Sequence, residues 1–393
     1  MTATDAALHV LALNSGSSSL KYGLYQVNEA TAATMLGGEV ETHASGGLLA
    51  ALREIRGILG KSGLPAPAAI GHRVVHGGPS LRQHCLIDDS VLARLELATA
   101  FAPLHMPSTL SVIGFAQENF PGIPQAACFD TTFHAGLPDV ARILPVPKAW
   151  QSEGVQRYGF HGLSIESIVH QLASDLPRRM VVAHLGNGAS ITAVQDGKSV
   201  DTSMGLTPTG GVVMGTRSGD LDPGVLFYLM RKANLDAATV EAMLNRQSGL
   251  LGISGVASDM RCLHQQAAGN PAARLAIEMF CYSVRKQIAA MVAVLDGVDL
   301  IVFTGGIGEH DAQVRAAVCA GLSWMGISLD EARNRSAIGP IQHSASRCEV
   351  RVLPCLEDEQ IARHTRALLR ASQPASTQAL PWIGHHGGAN SGH

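Results

Sequence analysis

The sequence predicts an α/β protein in which one structural unit occurs twice. Apolar segments of strand length alternate with helical segments along most of the 393 residues, an order that is typical of this fold class. A strand, a polar turn and a second strand begin near residue 8, and the same arrangement begins again near residue 180. Because the two copies share a shape but little sequence, we interpret them as an internal repeat of fold.

The strands of the two copies are bounded by small polar residues. In the first copy the apolar run 8–13 ends at the turn 14–19, and a strand-like stretch follows, which predicts a β-hairpin. In the second copy the apolar run 180–185 ends at the turn 186–190, and a strand over 191–194 follows. A third apolar strand, 299–303, runs into the glycine-rich segment 304–308, which we interpret as another tight turn.

Helical spacing predicts helices over 89–102, 108–119, 272–295 and 357–370. Ser108 follows Pro107 and is expected to be the N-cap of the second helix. Apolar residues nearly encircle 272–295, so this helix is expected to be buried in the core or in a subunit interface. Residues 373–393 contain Pro, Gly, Ser and His without periodicity, and we expect a loose tail there.

Composition excludes several classes of protein. The formal net charge of −3 argues against a nucleic-acid-binding protein, which needs a basic face. No run of 18 apolar residues occurs and no signal peptide begins the chain, so neither a membrane span nor secretion is predicted. The seven cysteines are scattered without a CxxC motif, and we expect buried thiols in a reducing cytoplasm.

The common phosphate-binding motifs are missing, and three glycine-rich turns stand in their place. Gly-Lys-Ser occurs at 60–62 and 197–199, but Ile55 and Thr192 occupy the positions where a P-loop requires glycine. Backbone N–H groups in small-residue turns can converge on an anion. A single turn of this kind is more often a plain hairpin turn. Three in a duplicated chain favour a nucleotide cleft between two domains.

Two arginines lie in unusual surroundings. Arg73 falls within an apolar strand that is followed by Gly77 and Gly78, and Arg217 is flanked by small residues. A buried guanidinium needs an anionic partner, and its fork matches phosphate or carboxylate. Either arginine could instead form an internal salt bridge, for example from Arg217 to Asp220 or Asp222.

An acid and a histidine add to this candidate site. Asp130 ends the apolar stretch 126–129, where a carboxylate suits Mg²⁺, although the same residue could be a helix N-cap. His161 lies between an aromatic residue and a glycine, and a lone histidine is more often structural than functional. The residues alone therefore leave the roles of both side chains open.

Seven separated blocks of this sequence resemble the acetate kinase family, in the order in which the family has them. They are NSGSSSLK at 14–21, GHRVVHGG at 71–78, FDTTFH at 129–134, RYGFHG at 157–162, AHLGNGASITAVQDGKSVDTSMG at 183–205, MGTRSGDLDPG at 214–224 and FTGGIGEH at 303–310. The resemblance runs from about residue 9 to about residue 370. It implies two duplicated ribonuclease-H-like (actin-like ATPase) domains with an interdomain active-site cleft. Residues 1–133 plus 361–393 would form the N-terminal domain, and 134–360 the C-terminal nucleotide-binding domain.

The function that the resemblance implies is direct, reversible phosphoryl transfer between ATP and acetate, which gives acetyl phosphate and ADP. Mg²⁺, or Mn²⁺ in its place, would be the metal. A short-chain carboxylate and ATP or ADP would be the partners of a cytoplasmic homodimer that binds neither nucleic acid nor membrane, with 272–295 as the candidate interface. A propionate or butyrate kinase, or a non-catalytic nucleotide-binding module like actin or Hsp70, are the alternatives.

The resemblance also implies the site residues. It assigns catalysis to Arg73, Asp130, His161 and Arg217. It assigns substrate binding to Arg73, Val75, Leu104, Phe160 and Pro208. It assigns nucleotide binding to Asn14, Ser17, Ser19, Lys21, His184, Leu185, Gly186, Asn187, Gly188, Asp259, Met260, Arg261, Gly305, Gly306, Ile307 and Gly308. It assigns the metal to Asn14 and Glu357, with Asp358 and Glu359 as adjacent alternatives to the glutamate.

Three short segments depart from the family's pattern. The chain has Leu-His-Met-Pro at 104–107, Thr-Pro-Thr-Gly-Gly at 207–211 and Gly-Glu-His at 308–310, where the family usually has Leu-His-Asn-Pro, Thr-Pro-Leu-Glu-Gly and Gly-Glu-Asn. These segments belong to the substrate-side and nucleotide-side loops. The sequence therefore leaves the acyl preference and the phosphoryl donor open.

Overall fold

The computed structural model describes residues 7–16, 19–42 and 47–372, which form two β-sheets with helices packed against them. The strands are β1 (Leu8–Ser15), β2 (Ser19–Val27), β3 (Ala32–Glu41), β4 (Ala69–Val74), β5 (Cys85–Leu86), β6 (Gln125–Phe129), β7 (Arg179–Leu185), β8 (Ala189–Gln195), β9 (Lys198–Thr202), β10 (Leu300–Thr304) and β11 (Glu349–Val352). The helices are α1 (Gly47–Lys61), α2 (Asp89–Ala98), α3 (Met106–Asn119), α4 (Asp139–Arg142), α5 (Lys148–Ser152), α6 (Gly162–Leu172), α7 (Pro223–Ala233), α8 (Ala237–Arg246), α9 (Gly249–Ser254), α10 (Met260–Gln266), α11 (Pro271–Val294), α12 (Gly305–His310), α13 (Ala312–Ala320), α14 (Glu331–Ser336) and α15 (Glu357–Ser372).

The two sheets share one topology. In the first sheet the order is β3-β2-β1-β4-β6-β5, with β1, β2 and β3 antiparallel and with β4 and β6 parallel to β1. In the second sheet the order is β11-β10-β7-β8-β9, with the same antiparallel and parallel pairs. The short strand β5 is an addition at one edge of the first sheet. The predicted α/β class and the predicted duplication are therefore confirmed.

Helices cover both faces of the first sheet. Strands β1, β4 and β6 are buried over nearly their whole length, as expected for strands that are covered on both faces. Helices α1 and α3 pack on one face, and Ile361 and Ala362 of α15 pack on the other. Gly71 in β4 allows this close approach, because a Cβ there would lie 2.3 Å from Thr365 Oγ1.

Helix α6 packs against the second sheet and also against the apolar cluster that covers the first sheet. Ile165 and Ile168 pack against β7 and β10 of the second sheet, while Leu163 lies in the cluster that contains Ile361 of α15. The other face of the second sheet is covered by α11, through buried residues such as Phe280 and Val284. The second sheet is thus held by apolar contacts on both faces, from α6 on one face and from α11 on the other.

Several sequence-based boundaries need correction. The helix predicted over 89–102 ends at Ala98 and continues as a 3₁₀ turn over Thr99–Phe101. The helix predicted over 108–119 begins at Met106 with His105 as its N-cap, and Ser108 lies in the first turn, where its hydroxyl donates to the His105 carbonyl at 2.8 Å. Pro107 is tolerated there because an N–H at this position would have no helical partner.

The glycine-rich segment 304–308 was predicted to be a turn, and this prediction is wrong. It forms the start of α12, where Gly305 has a φ of +76° and its N–H donates to Glu309 Oε1 at 3.0 Å.

Helices 272–295 and 357–370 are found as α11 and α15. Cys262 is exposed, contrary to the expectation of buried thiols. Among the described residues no helix is long and apolar enough to span a membrane, and the tail 373–393 lies outside them.

Candidate active site

A cleft of about 1400 Å³ is lined by residues from both halves of the chain. The first half contributes Ser15, Gly16, Thr42, Leu48, Leu104, His105 and Ser108. The second half contributes several of the predicted nucleotide-binding residues, namely Gly186, Asn187, Asp259, Met260, Arg261, Gly306 and Ile307. A cleft of this size is larger than most small-molecule sites and has room for a nucleotide together with a small substrate.

The β7–β8 turn brings two predicted catalytic side chains together. The turn is closed by the Gly186 N–H, which donates to the Gly188 carbonyl at 3.0 Å. A Cβ on Gly188 would lie 3.2 Å from Arg217 Nη1 and 3.3 Å from His161 Nε2. The absence of a side chain at Gly188 therefore lets both groups lie against the turn.

Arg73 and Asp130 form a buried ion pair at the ends of the neighbouring parallel strands β4 and β6. Arg73 Nη2 lies 2.6 Å from Asp130 Oδ2, Arg73 Nε lies 2.9 Å from Oδ1, and Arg73 Nη1 donates to Asn14 Oδ1 at 3.2 Å. Burial disfavours the charged guanidinium, but the carboxylates of Asp130 and Glu357 outweigh it and raise the pKa of Arg73. Burial also raises the pKa of Asp130, which Arg73 opposes. The internal salt bridge is thus found for Arg73, and Asp130 is not a helix N-cap.

The first turn of α15 separates three consecutive acids. Asn14 Nδ2 donates to Glu357 Oε2 at 3.1 Å and to Asp358 Oδ1 at 2.8 Å. Glu359 instead pairs with Arg363 at 2.7 Å, one turn further along the helix. Burial alone would raise the pKa of Glu357, but Arg73 and His184 more than offset it, so the pKa is lowered and the carboxylate stays charged.

His161 has an unusual backbone conformation at the N-cap of α6. Its φ is +58°, in the left-handed region that is uncommon for a residue other than glycine. Its Nδ1 lies 2.9 Å from Ser190 Oγ, and its ring stacks on the His184 ring with 4.1 Å between centroids. Burial, with smaller contributions from His184 and Arg73, lowers the pKa of His161 well below its usual value. His161 is therefore a neutral imidazole at pH 7.

Arg217 has polar neighbours, and no acidic side chain pairs with it in the part of the chain that the structure describes. Its Nη1 donates to the Pro208 carbonyl at 3.0 Å, and among the described residues it forms no ion pair. Asp220 accepts from the Gly211 N–H at 2.7 Å, and Asp222 caps α7, so neither forms the salt bridge considered from the sequence. Burial and the charge of Arg73 lower the pKa of Arg217 to about 10. The guanidinium is charged at pH 7 and can bind an anion.

His105 is a site residue that the sequence analysis did not identify. It begins α3 in the first half of the chain, yet its Nε2 lies 3.2 Å from Arg217 Nη2 in the second half. Because a guanidinium can only donate, His105 Nε2 must accept. Burial and the nearby arginines lower the pKa of His105 to about 3, consistent with this neutral acceptor. The sequence did contain a signal for His105, because it follows the predicted substrate-binding residue Leu104 in a segment that departs from the family pattern.

Other predicted residues lie at the edges of this site or away from it. Leu104 and Pro208 line a second, largely apolar cavity of about 340 Å³, bounded by α7 and α8. Val75 and Phe160 are buried in the main core and line neither cavity. Ser17 lies outside the described residues.

The remaining predicted nucleotide-binding residues have mixed environments. Ser19 donates to Glu39 on β3, and Lys21 is exposed opposite Asn14 on the β1–β2 hairpin. Asp259 caps α10 and pairs with Arg261 at 2.7 Å, on the wall of the cleft. Leu185, Gly305 and Gly308 are buried and are not among the residues that line the cleft.

Comparison with known proteins agrees with these observations. Residues 41–363 match the acetokinase family. A protein of Methylocella silvestris named acetate kinase is 42% identical over 396 residues, which cover 92% of this chain and 98% of that protein. A propionate kinase structure from Francisella tularensis has a TM-score of 0.82 at 36% identity, and an acetate kinase structure from Porphyromonas gingivalis has a TM-score of 0.80 at 35% identity. Each covers 92% of this chain and 100% of its own.

These relatives match over nearly their full length, and the two solved structures resemble this chain over 92% of its residues. The predicted fold and the predicted resemblance are thereby confirmed, as is the prediction of an ATP-dependent carboxylate kinase. The chain belongs to the acetokinase family.

Proposed function

We propose that the protein transfers the terminal phosphoryl group of ATP directly to acetate, giving acetyl phosphate and ADP, and that it catalyses the reverse reaction. The observation that carries this proposal is that Arg217 and His161 meet at the β7–β8 turn, near a cleft of about 1400 Å³, and that Arg73 is close enough for its charge to lower the pKa of both. Phosphoryl transfer spreads negative charge over the equatorial oxygens of phosphorus, and catalysis depends on positioned cations and hydrogen-bond donors.

The chemical step asks little covalent work of the protein. A carboxylate oxygen forms a bond to the terminal phosphorus while the bond from phosphorus to the bridging oxygen of ADP breaks. Acetate is already ionised at pH 7, so no strong general base is required. This removes the need for a catalytic carboxylate, and the bidentate contact of Asp130 with Arg73 supports a positioning role for that acid.

The three donors differ in ways that suit different oxygens. Arg217 has no acid beside it among the described residues, so it can bind the substrate carboxylate or the transferred phosphoryl group without breaking an ion pair. Arg73 is held in a fixed orientation by Asp130 and Asn14. His161 is neutral, and Ser190 at its Nδ1 allows Nε2 to carry the proton and donate it in a hydrogen bond. Closure of the cleft would exclude water from the transfer.

A divalent cation is part of this proposal, and the chemistry of the residues present fits one. Glu357 and Asp358 both accept hydrogen bonds from Asn14 Nδ2, and carboxylate oxygens of this kind are preferred by Mg²⁺, and also by Mn²⁺. When bound, the cation would neutralise charge on the nucleotide phosphates. Glu359 is unsuited to this role because it pairs with Arg363.

Propionate and butyrate are a second candidate substrate class. Leu104 and Pro208 line the apolar cavity of about 340 Å³, and the Pro208 carbonyl accepts from Arg217. A carboxylate bound at Arg217 would therefore have apolar space beside it for more than a methyl group. One methylene changes discrimination by only about 1–3 kcal/mol, so the preference is expected to be graded.

The architecture and assembly are also proposals. We propose that residues 1–133 plus 361–393 and residues 134–360 form two domains that close on the nucleotide, and that a cytoplasmic homodimer is the working form. Exposed apolar side chains on α7 and α11 support the dimer. Phe227 and Tyr228 are 56% and 58% exposed, and Leu275 and Tyr282 are 49% and 55% exposed. Helix α7 has no buried residue, which is unusual for so apolar a helix.

The test is a hydroxamate assay with ATP, Mg²⁺ and a panel of acetate, propionate and butyrate. Acyl phosphate formed by the enzyme is trapped by hydroxylamine, and kcat/KM is measured for each acid. We expect the highest value for acetate. A nucleotide-binding module would bind ATP without giving any acyl hydroxamate, and that result would overturn the proposal.

A further inference from the structure

A group of metal-ligating side chains lies beside the site, and two of its three members, His184 and Cys355, have no role in the mechanism above. His184 of β7, Cys355 before α15 and Glu357 of α15 bring a ring nitrogen, a thiol sulfur and a carboxylate oxygen within 4.8 Å of one another. These three donor types together are not a magnesium set, because Mg²⁺ takes oxygen ligands. Nitrogen and sulfur ligands are those of zinc and other thiophilic ions.

The side chains of this group are held in place by their neighbours. The Cys355 N–H donates to Glu309 Oε1 at 3.0 Å, which fixes the backbone that carries the thiol. Ser164 is fully buried, and its Oγ lies 2.8 Å from His184 Nδ1 and 3.3 Å from Cys355 Sγ. One hydroxyl thus contacts two of the three ligands, and a hydrogen bond at the second ring nitrogen is the usual support of a metal-binding histidine.

The Ser164 hydroxyl can serve a metal-bound state without losing a hydrogen bond. It can accept the Nδ1–H of His184, which leaves Nε2 free as a ligand, and it can donate its own proton to a thiolate at Cys355. Binding of a divalent ion would release the thiol proton to water. The thiolate and the Glu357 carboxylate would then balance the two positive charges of the ion.

A second group of similar composition does not keep a histidine nitrogen free to bind an ion. His84, Glu166 and His364 also bring three ligand atoms within 4.8 Å. However, His84 Nδ1 accepts the Phe129 N–H at 3.0 Å, so in the neutral ring the proton lies on Nε2, the nitrogen that would have to bind the ion. Of the two groups, only the one at Cys355 therefore has a histidine whose hydrogen bonding suits a bound ion.

We propose that His184, Cys355 and Glu357 form a binding site for a thiophilic divalent cation of the zinc class, and that occupancy of this site inhibits the kinase. Inhibition follows because Glu357 is shared with the proposed magnesium site, and this part alone rests on the proposed function. Cations of the zinc class would compete with Mg²⁺ for the same carboxylate.

Binding is tested first with Co²⁺, a spectroscopic substitute for Zn²⁺, added to the full-length enzyme without nucleotide. We expect one ion per chain and a thiolate-to-cobalt charge-transfer band in the near ultraviolet. The band should be lost in Cys355→Ser and in Cys355→Ala, and retained in His364→Gln, which removes a histidine from the other group. A band that survives both Cys355 variants, or no band in the wild type, would overturn the site.

Inhibition is tested by titrating Zn²⁺ into the Mg²⁺-ATP assay, with each variant compared with its own zinc-free rate. We expect the inhibitory Zn²⁺ concentration to rise about tenfold or more in Cys355→Ser, while His364→Gln behaves as wild type. Equal sensitivity in Cys355→Ser would overturn the inhibitory role. The cobalt spectrum does not depend on kinase activity, so failure of the proposed function and failure of this site are distinguishable.

Discussion

At the scale of single residues, two arginines that look alike in sequence have different partners. Arg73 forms a bidentate ion pair with buried Asp130, whereas Arg217 donates to the Pro208 carbonyl and contacts His105. A buried ion pair costs stability mainly when one partner is removed, because the other charge is left without compensation. The two arginines should therefore respond differently to the same substitution.

Replacing Arg217 with alanine should remove transition-state stabilisation and leave the fold intact. Loss of one such donor typically costs about 2.7–4 kcal/mol in the barrier, or 10²–10³ in kcat. Steady-state kinetics and thermal unfolding check this together. Arg335→Ala, at an exposed arginine that pairs with Glu331, is the control. Near-wild-type turnover in Arg217→Ala would remove this residue from the mechanism.

Replacing Arg73 with alanine should lower both activity and stability. The reason is that the Asp130 carboxylate would be left buried and unpaired. Breaking a buried pair costs about 3–5 kcal/mol. Urea unfolding should show this loss, and the double variant Arg73→Ala/Asp130→Asn should recover part of it. If Arg73→Ala is as stable as Arg217→Ala, the ion pair does not contribute as described.

At the scale of elements, the first turn of α15 gives three consecutive acidic residues different partners. Glu357, Asp358 and Glu359 are consecutive acids, and from the sequence each was a candidate for the metal. The helix points the first two at Asn14, while Glu359 falls on the side that carries Arg363. Helical geometry alone allows the Glu359–Arg363 pair, since residues four apart are neighbours.

The two glutamates of this turn form a matched pair for testing the cation site. Glu357→Gln should raise the Mg²⁺ concentration needed for half-maximal activity by about tenfold or more, because a carboxylate ligand is lost. Glu359→Gln should lose only the partly buried pair with Arg363 and should leave the Mg²⁺ dependence unchanged. Activity measured against free Mg²⁺ at saturating ATP separates them. Equal Mg²⁺ dependence in both variants would contradict the assignment.

At the scale of the whole molecule, several histidines are buried as neutral rings. Burial lowers the pKa of His72, His76 and His134 to about 4, against 6.5 for an exposed ring. Above pH 6.5 neither the folded nor the unfolded chain protonates them. Between pH 6.5 and about 4 the unfolded chain binds protons that the folded chain does not bind. Their stabilising contribution is therefore present above pH 6.5 and is lost as the pH falls towards 4.

Acid should destabilise the protein steeply in this range. Each such histidine lowers the free energy of unfolding by about 1.4 kcal/mol per pH unit between pH 6.5 and about 4. Urea unfolding at pH 7, 6 and 5 measures the slope. His72→Gln should reduce the slope by about this amount, whatever its effect on stability at pH 7. An unchanged slope in His72→Gln would show that His72 is protonated in the folded state.

The proposed dimer is tested on the exposed face of α7. Phe227→Glu places a charge on a side chain that would be covered by a second copy, so it should convert dimers to monomers at micromolar concentration in size-exclusion chromatography with light scattering. Val140→Glu is the control, because Val140 is exposed elsewhere in the chain. A wild-type monomer, or a dimer that persists in Phe227→Glu, would argue against this interface.

The sequence by itself determined the fold class, the duplication and the family, because these depend on local patterns. Apolar runs, small-residue turns and seven separated motifs are all readable along the chain. The strands and helices that were predicted are therefore found to within a few residues. The exceptions were places where local chemistry allowed two outcomes, such as the glycine-rich segment at 304–308 that became the start of α12.

Only the tertiary structure decided which side chains meet. Arg73 pairs with Asp130 across parallel strands, His105 reaches Arg217 from the other half of the chain, and Ser164 lies between His184 and Cys355. These contacts join residues far apart in sequence. Charge and hydrogen-bond energies depend on distance and burial in space, and sequence spacing carries no record of either.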